Sequence, residues 1–281
     1  MATVFEVHCA HRDARYAGQA ADAAFDLVDR LEQELSRFIG NSDVSRVNAL
    51  GPGESTRVSP TTLECLTIAR HLFDLTGGAF DVSIGTGLPE LDLDPEAFAV
   101  RARRASVRLD LGGIGKGYAI DRVAELLGEW GIGRALVHGG FSSVLALDGP
   151  AGQDGWPLTL SAPGGGGVLA RVSARGVALS ASGTRKKDHI VDPRTGRPAT
   201  RLAAWVALPA PPGGRGSPSA VAEGLSTAFM LMDESEIEAL VREGPGVEAW
   251  LLAGPSGSEG ASPRLVHLAG HAGGGLPGAE D

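Results

Sequence analysis

Cysteine, lysine and aromatic side chains are scarce in this chain of 281 residues, and each shortage closes off a class of function. The two cysteines, Cys9 and Cys65, lack the paired spacing of a metal–thiolate site. Both fall in apolar-patterned segments, which fits small buried hydrophobes. Only three of the 25 basic residues are lysines, and the net charge is −9. The composition argues against non-specific nucleic-acid binding. No run comes near the roughly 18 apolar residues that a membrane-spanning helix needs. The start, Met1-Ala2-Thr3-Val4-Phe5-Glu6-Val7, has neither the basic head nor the apolar stretch of a secretion signal and reads as a strand. The expectation is a soluble, cytoplasmic protein with no stable membrane insertion. At 43% hydrophobic residues, the chain is long enough to bury a sizeable core.

What is present concentrates between Val107 and Trp130. An apolar run (Val107, Leu109, Leu111) enters a loop that holds Gly112, Gly113, Gly115 and Gly117 around Lys116. Tyr118, Val123, Leu126, Leu127 and Trp130 then follow at helical spacing. Glycines let backbone approach a ligand closely. A helix N-terminus offers unpaired N–H groups to an anion, and Lys116 adds a point charge. These features fit a phosphorylated ligand. The familiar phosphate signatures are absent: Gly117 rather than Ser or Thr follows Lys116, and Gly113, Gly115 and Gly117 are evenly spaced. Taken alone, the loop is equally a tight strand-to-helix turn with a solvated lysine.

Along the rest of the chain, residues 3–9 alternate as a strand. Phe25, Val28, Leu31, Leu35 and Phe38 mark one face of a helix over 18–38. Val44 to Asn48 is expected as a short helix, and Ser59-Pro60 is a good start for another, ending at Gly77-Gly78. The segment 86–105 reads as an irregular charged connection. Strands are expected at 135–137, 143–147, 202–208 and 247–252, and a hairpin at 168–179 turning at Ala174-Arg175-Gly176. A Pro/Gly/Ser loop is expected at 209–219, followed by helices at 220–232 and 234–241. A domain over 1–255 precedes a Gly/Ser-rich tail, 256–281, expected to be partly disordered apart from a strand-like island at 265–268. This succession points to an α+β fold with antiparallel hairpins.

Two further clusters carry chemistry. His189-Ile190-Val191-Asp192-Pro193-Arg194-Thr195-Gly196 closely follows Ser180-Ala181-Ser182-Gly183. His189 is a residue type suited to a general base, although Asp192-Pro193-Arg194-Thr195-Gly196 is also a tight turn in its own right. In Ala222-Glu223-Gly224-Leu225-Ser226-Thr227-Ala228, Glu223 and Thr227 stand one helical turn apart. A carboxylate and a hydroxyl are hard oxygen ligands suited to Mg²⁺. An acid near a helix start is also explained by the helix dipole alone.

Together these segments resemble the ApbE family of FAD:protein FMN transferases. The resemblance rests on Leu-Gly-Gly-Ile-x-Lys-Gly-Tyr-Ala-x-Asp at 111–121, Gly-Gly at 139–140, Ser-x-Ser-Gly at 180–183, His-Ile-x-Asp-Pro-x-Thr-Gly at 189–196 and Ala-x-x-Leu-x-Thr-Ala at 222–228. The N-terminal strand, residues 42–48 and Gly78-Ala79-Phe80-Asp81-Val82 also look like family segments. The resemblance implies a T-fold-related α+β architecture, antiparallel sheets packed with helices in two intimately packed halves. It further implies Mg²⁺-dependent transfer of the FMN part of FAD to a Thr or Ser hydroxyl of an acceptor flavoprotein, with AMP leaving. By that resemblance the metal rests on the Gly115 carbonyl, Glu223 and Thr227. Lys116 would touch phosphate, Asp121 the adenosine part, and Ser182 and Gly183 the phosphate or acceptor side. Thr3 and Gly113 count with the flavin-binding residues, His189 is the base, and Asp192 holds the loop or the base.

Three positions depart from the family pattern. Glu223 stands for the usual Asp, Phe141 replaces the acid of a Gly-Gly-Asp, and the connection from Leu88 to Asp110 is short. An FAD pyrophosphatase and a non-catalytic FAD binder therefore stand as alternatives. A Ser182-His189-Asp192 hydrolase is weaker, because no Gly-x-Ser-x-Gly elbow is present.

Overall fold

The structure, a computed structural model, describes residues 3–161, 167–184, 190–254 and 263–270. Strand β1 (Phe5–Cys9) leads into helix α1 (Ala14–Leu35), whose start is capped by the Asp13 carboxylate accepting from the Tyr16 N–H at 3.0 Å. Ala20, Ala24, Val28, Leu31 and Leu35 form its buried face. Phe25 and Phe38, expected on that face, are exposed instead. Small alanines let α1 pack closely, and Phe38 lies beyond the helix end at Ser36, under the Arg37 guanidinium.

Ser42 and Ser59 cap the next two helices, α2 (Asp43–Asn48) and α3 (Pro60–Leu75), by accepting from Ser45 N–H and Thr62 N–H. Between them lies β2 (Ser55–Arg57). The stretch 86–105 is not irregular. It contains β3 (Leu91–Asp94) and β4 (Ala99–Ala102), which join β2 in a three-stranded sheet ordered β2-β4-β3. Strands of four residues are too short to print a clear alternation into sequence.

Helix α4 (Gly115–Glu129) precedes β5 (Ala135–Gly139), β6 (Ser143–Ala146), β7 (Trp156–Ser161), β8 (Val168–Ala174), β9 (Val177–Gly183) and β10 (Arg201–Pro209). Then come α5 (Pro218–Phe229), α6 (Glu234–Glu243), β11 (Glu248–Ala253) and β12 (Arg264–Ala269). Seven strands form one sheet in the order β1-β5-β6-β9-β10-β11-β12, and every neighbouring pair is antiparallel. The architecture is thus α+β. Strand β12 covers the strand-like island expected at 265–268 and pairs with β11.

One face of the large sheet is covered by helices. Ile120, Val123 and Leu127 of α4 meet Ala24 and Val28 of α1 and Val137 and Leu145 of the sheet. The opposite face carries Leu136, Leu179 and Trp205, packed under the β7–β8 pair through Leu158 and Leu160. The expected 168–179 hairpin is therefore only a chain reversal: β8 pairs with β7, while β9 enters the large sheet. A continuous core joins α3 to the sheet through α5, from Leu66 through Leu225 and Phe229 to Val206 and Leu251. Among the described residues, no helix is long and apolar enough to cross a membrane.

Candidate active site

Helices α4 and α5 meet at their N-termini, and there each caps the other. Both carboxylate oxygens of Asp121, on α4, accept from the N–H groups of Ser219 and Ala220 in the first turn of α5, at 2.9 Å each. In return Glu223, on α5, accepts from the Gly117 N–H in the first turn of α4 at 2.6 Å, and its other oxygen is paired with the Lys116 ammonium. Orphan N–H groups at a helix start attract a carboxylate for the same reason they attract phosphate. Glycine is required at 117, where a Cβ would stand 2.2 Å from the Ser219 carbonyl oxygen.

This junction forms one wall of a cavity of about 1340 Å³. The volume exceeds the roughly 300–1,000 Å³ of an ordinary small-molecule site and leaves room for a dinucleotide. Lys116, Gly113, Glu223, Thr227, Ser182, Gly183 and Thr3, all predicted site residues, line it. Lys116 is largely buried, and that burial pulls its pKa down to about 8. Thr227 Oγ1 donates to the Glu223 carbonyl at 3.1 Å and lies 3.2 Å from Ser182 Oγ, which lies 2.9 Å from Ser226 Oγ. Gly140, at φ +52°, has no room for a side chain against Thr3, where a Cβ would stand 2.2 Å from Oγ1.

The remaining predicted residues lie elsewhere. Asp121 is fully buried between the helices rather than in the cavity wall. It is an anchor for α5, and burial raises its pKa to about 7 against the opposing pull of its N–H partners. Asp192 sits behind the wall: it accepts from the Arg194 N–H and guanidinium at 2.8–3.0 Å, and that pairing holds its carboxyl below the usual range. Its carbonyl closes the turn by accepting from Thr195 and Gly196 N–H. Ile190, Val191 and Pro193, on either side, face the cavity instead. Gly115 is buried at the start of α4 and does not line the cavity. His189 lies outside the described residues.

The profile of the ApbE family matches residues 1–88 and 86–251. The chain belongs to the ApbE family. Its relatives include a protein named FAD:protein FMN transferase from Klebsiella pneumoniae, 26% identical over 82% of this chain and 78% of its own length. Another of the same name, from Salmonella typhimurium, is 24% identical over 89% of this chain and 85% of its own length. The flavin transferase ApbE of Vibrio cholerae superposes with a TM-score of 0.78 at 21% identity, covering 95% of this chain and 94% of that one. The apo flavinyl transferase ApbE of Pseudomonas stutzeri gives 0.77 at 21% identity, covering 94% and 90%. At such identities these structures establish the ApbE fold.

Two residues that line the cavity of this ApbE chain, Asp81 and Phe141, and one buried behind its wall, Ser226, escaped assignment from sequence. Asp81 lines the wall and organises its own loop, accepting from Ser83 N–H, Ser83 Oγ and Gly85 N–H at 2.7–2.8 Å. Ser226 joins the hydroxyl cluster, and its spacing of three from Glu223 was the available signal. Phe141 stands 95% exposed at the cavity edge. Its departure from the family pattern thus falls at the cavity edge.

Proposed function

We propose that this ApbE chain is an FAD:protein FMN transferase that uses Mg²⁺ to move the FMN part of FAD onto a Thr or Ser hydroxyl of an acceptor flavoprotein, releasing AMP. The observation that carries the reading is the meeting of Lys116, in the first turn of α4, with Glu223 and Thr227 of α5 in the wall of a dinucleotide-sized cavity. The donor set fits a hard divalent cation: one carboxylate and one hydroxyl, all oxygen, few enough to leave positions for substrate phosphates. Glu223 and Thr227, which line the cavity, would hold it; the Gly115 carbonyl, the third ligand that the family resemblance implies, belongs to a residue buried at the start of α4. Bound there, Mg²⁺ supplies positive charge to the diphosphate oxygens as the bridging bond breaks.

The side chains account for the rest. A carboxylate as buried as Glu223 needs a compensating charge, and Lys116 supplies it here. A cation held by Glu223 would take over that compensation and leave the Lys116 ammonium available to phosphate. His189 takes the proton of the acceptor hydroxyl, whose oxygen forms a bond to the FMN phosphorus while the diphosphate P–O bond breaks toward AMP. Ser182 and Gly183 line the phosphate side, and the Asp192–Arg194 pair shapes the loop that follows His189. Glu223 has one methylene more than the family's Asp, and that length reaches the Gly117 N–H.

The test is incubation with FAD and Mg²⁺, with and without a Thr-containing acceptor domain, followed by mass spectrometry for AMP and covalent FMN. FMN on the acceptor hydroxyl with stoichiometric AMP is expected. AMP with free FMN alone identifies a pyrophosphatase, and bound FAD without AMP a binder. His189→Ala is expected to abolish transfer and leave FAD affinity within two-fold; an unchanged transfer rate removes His189 as the base.

A further inference from the structure

Outside this site, two imidazoles and a carboxylate meet on the edge of the large sheet. In β1, Glu6 and His8 are two residues apart and so share a face. The antiparallel register sets Glu6 directly opposite His138 of β5. Phe5, Val7 and Cys9, of the other parity, turn to the helical side. Glu6 Oε2 lies 3.4 Å from His8 Nε2 and 3.2 Å from His138 Nε2, and the three ligand atoms fall within 4.8 Å of one another. The two rings are nearly parallel, 24° apart, with centroids at 6.0 Å.

We infer that Glu6, His8 and His138 form a binding site for a borderline divalent transition ion of the Zn²⁺ class. Zinc binds imidazole nitrogen and carboxylate oxygen at about 2.0–2.2 Å in a tetrahedron, and a tetrahedron of that size has edges of about 3.4 Å. The two carboxylate–imidazole separations already match such an edge. Imidazole selects Zn²⁺, Ni²⁺ or Cu²⁺ over Mg²⁺, which prefers the oxygen donors of Glu223 and Thr227. The side chains of Glu6, His8 and His138 are 46, 50 and 21% exposed, so an ion enters from solvent and keeps at least one position for water. His138 also lines the large cavity, which places the ion at its border. An ion held there ties the edge strand β1 to β5.

The inference is independent of the transfer reaction. Untagged, metal-stripped full-length protein is titrated with Zn²⁺ in excess Mg²⁺ by calorimetry, and with Co²⁺ by visible absorption. One Zn²⁺ per chain is expected, with tetrahedral Co²⁺ bands and a rise in melting temperature on adding Zn²⁺. His8→Ala and His138→Ala should each weaken Zn²⁺ at least ten-fold and abolish the rise, with the Glu223→Ala protein still binding. His8 is half exposed, so its variant keeps the test alive if His138→Ala misfolds. Absence of Zn²⁺ binding at 100-fold excess, or binding undiminished in His8→Ala, overturns the site.

Discussion

Two parts of the cavity lining are built on opposite terms. On the helix wall, Glu223 and, behind it, Asp121 are buried, and backbone N–H groups of the facing helix, with the Lys116 ammonium, satisfy their carboxylates. On the loop wall, Phe141 is 95% exposed, Ile84 59% and Val191 39%, and Asp81 and Asp192 hold only their own turns. The first wall is part of the core and gives a charged ligand fixed partners. The second spends little of its surface on packing and is free to meet something from outside. Changes in the helix wall therefore act on folding and ligand affinity together, while changes in the loop wall act on turnover.

The sharpest way to break this contrast is Gly117→Ala. Its Cβ would overlap the Ser219 carbonyl, and neither backbone can yield without moving a helix. A loss of about 3 kcal/mol or more is expected in denaturant unfolding; wild-type stability would mean that the helices have room to spare.

Asp121→Asn comes next. One of its two N–H acceptors is replaced by an N–H₂ donor, and a loss of about 2 kcal/mol is expected. Because burial raises the Asp121 pKa to about 7, the folded state binds the proton more tightly than the unfolded chain does. The contribution of Asp121 is then full below about pH 4, the ordinary range, and is lost as pH rises through 7. The stability gap between wild type and Asp121→Asn should narrow from pH 5 to 8. A widening gap would show that the N–H donors outweigh burial.

The smallest effect on stability belongs to the loop wall. Asp192→Ala loses the Arg194 pair and an N–H acceptor in a partly solvated turn, and about 1 kcal/mol is expected. Transfer should also fall as the turn that follows residue 189 loosens, with FAD affinity unchanged. A fall in FAD affinity would move Asp192 to the phosphate side.

How far the site was legible follows the same division. Glu223 and Thr227 were readable as neighbours because helical periodicity fixes which side chains share a face, and Lys116 because glycines surround it where a strand-like run enters a helix. The part Asp121 plays at the helix junction was not legible, because its partners, Ser219 and Ala220, lie 98 and 99 positions away and no local pattern encodes that pairing. Strand β7 went unseen because Pro157 interrupts it, which a two-stranded sheet edge tolerates. The separation of β8 from β9 into different sheets is a tertiary choice made over a turn that looks like an ordinary hairpin. Glu6, His8 and His138 joined only through the β1–β5 register.

The central claim is that the helix wall holds the diphosphate, and Lys116 is its most direct probe. Flavin fluorescence titration of wild type and Lys116→Met with FAD and with riboflavin separates phosphate recognition from ring recognition. The account predicts at least ten-fold weaker FAD binding, about 1.4 kcal/mol, with riboflavin affinity unchanged. Unaltered FAD affinity, or an equal loss for both ligands, would contradict it.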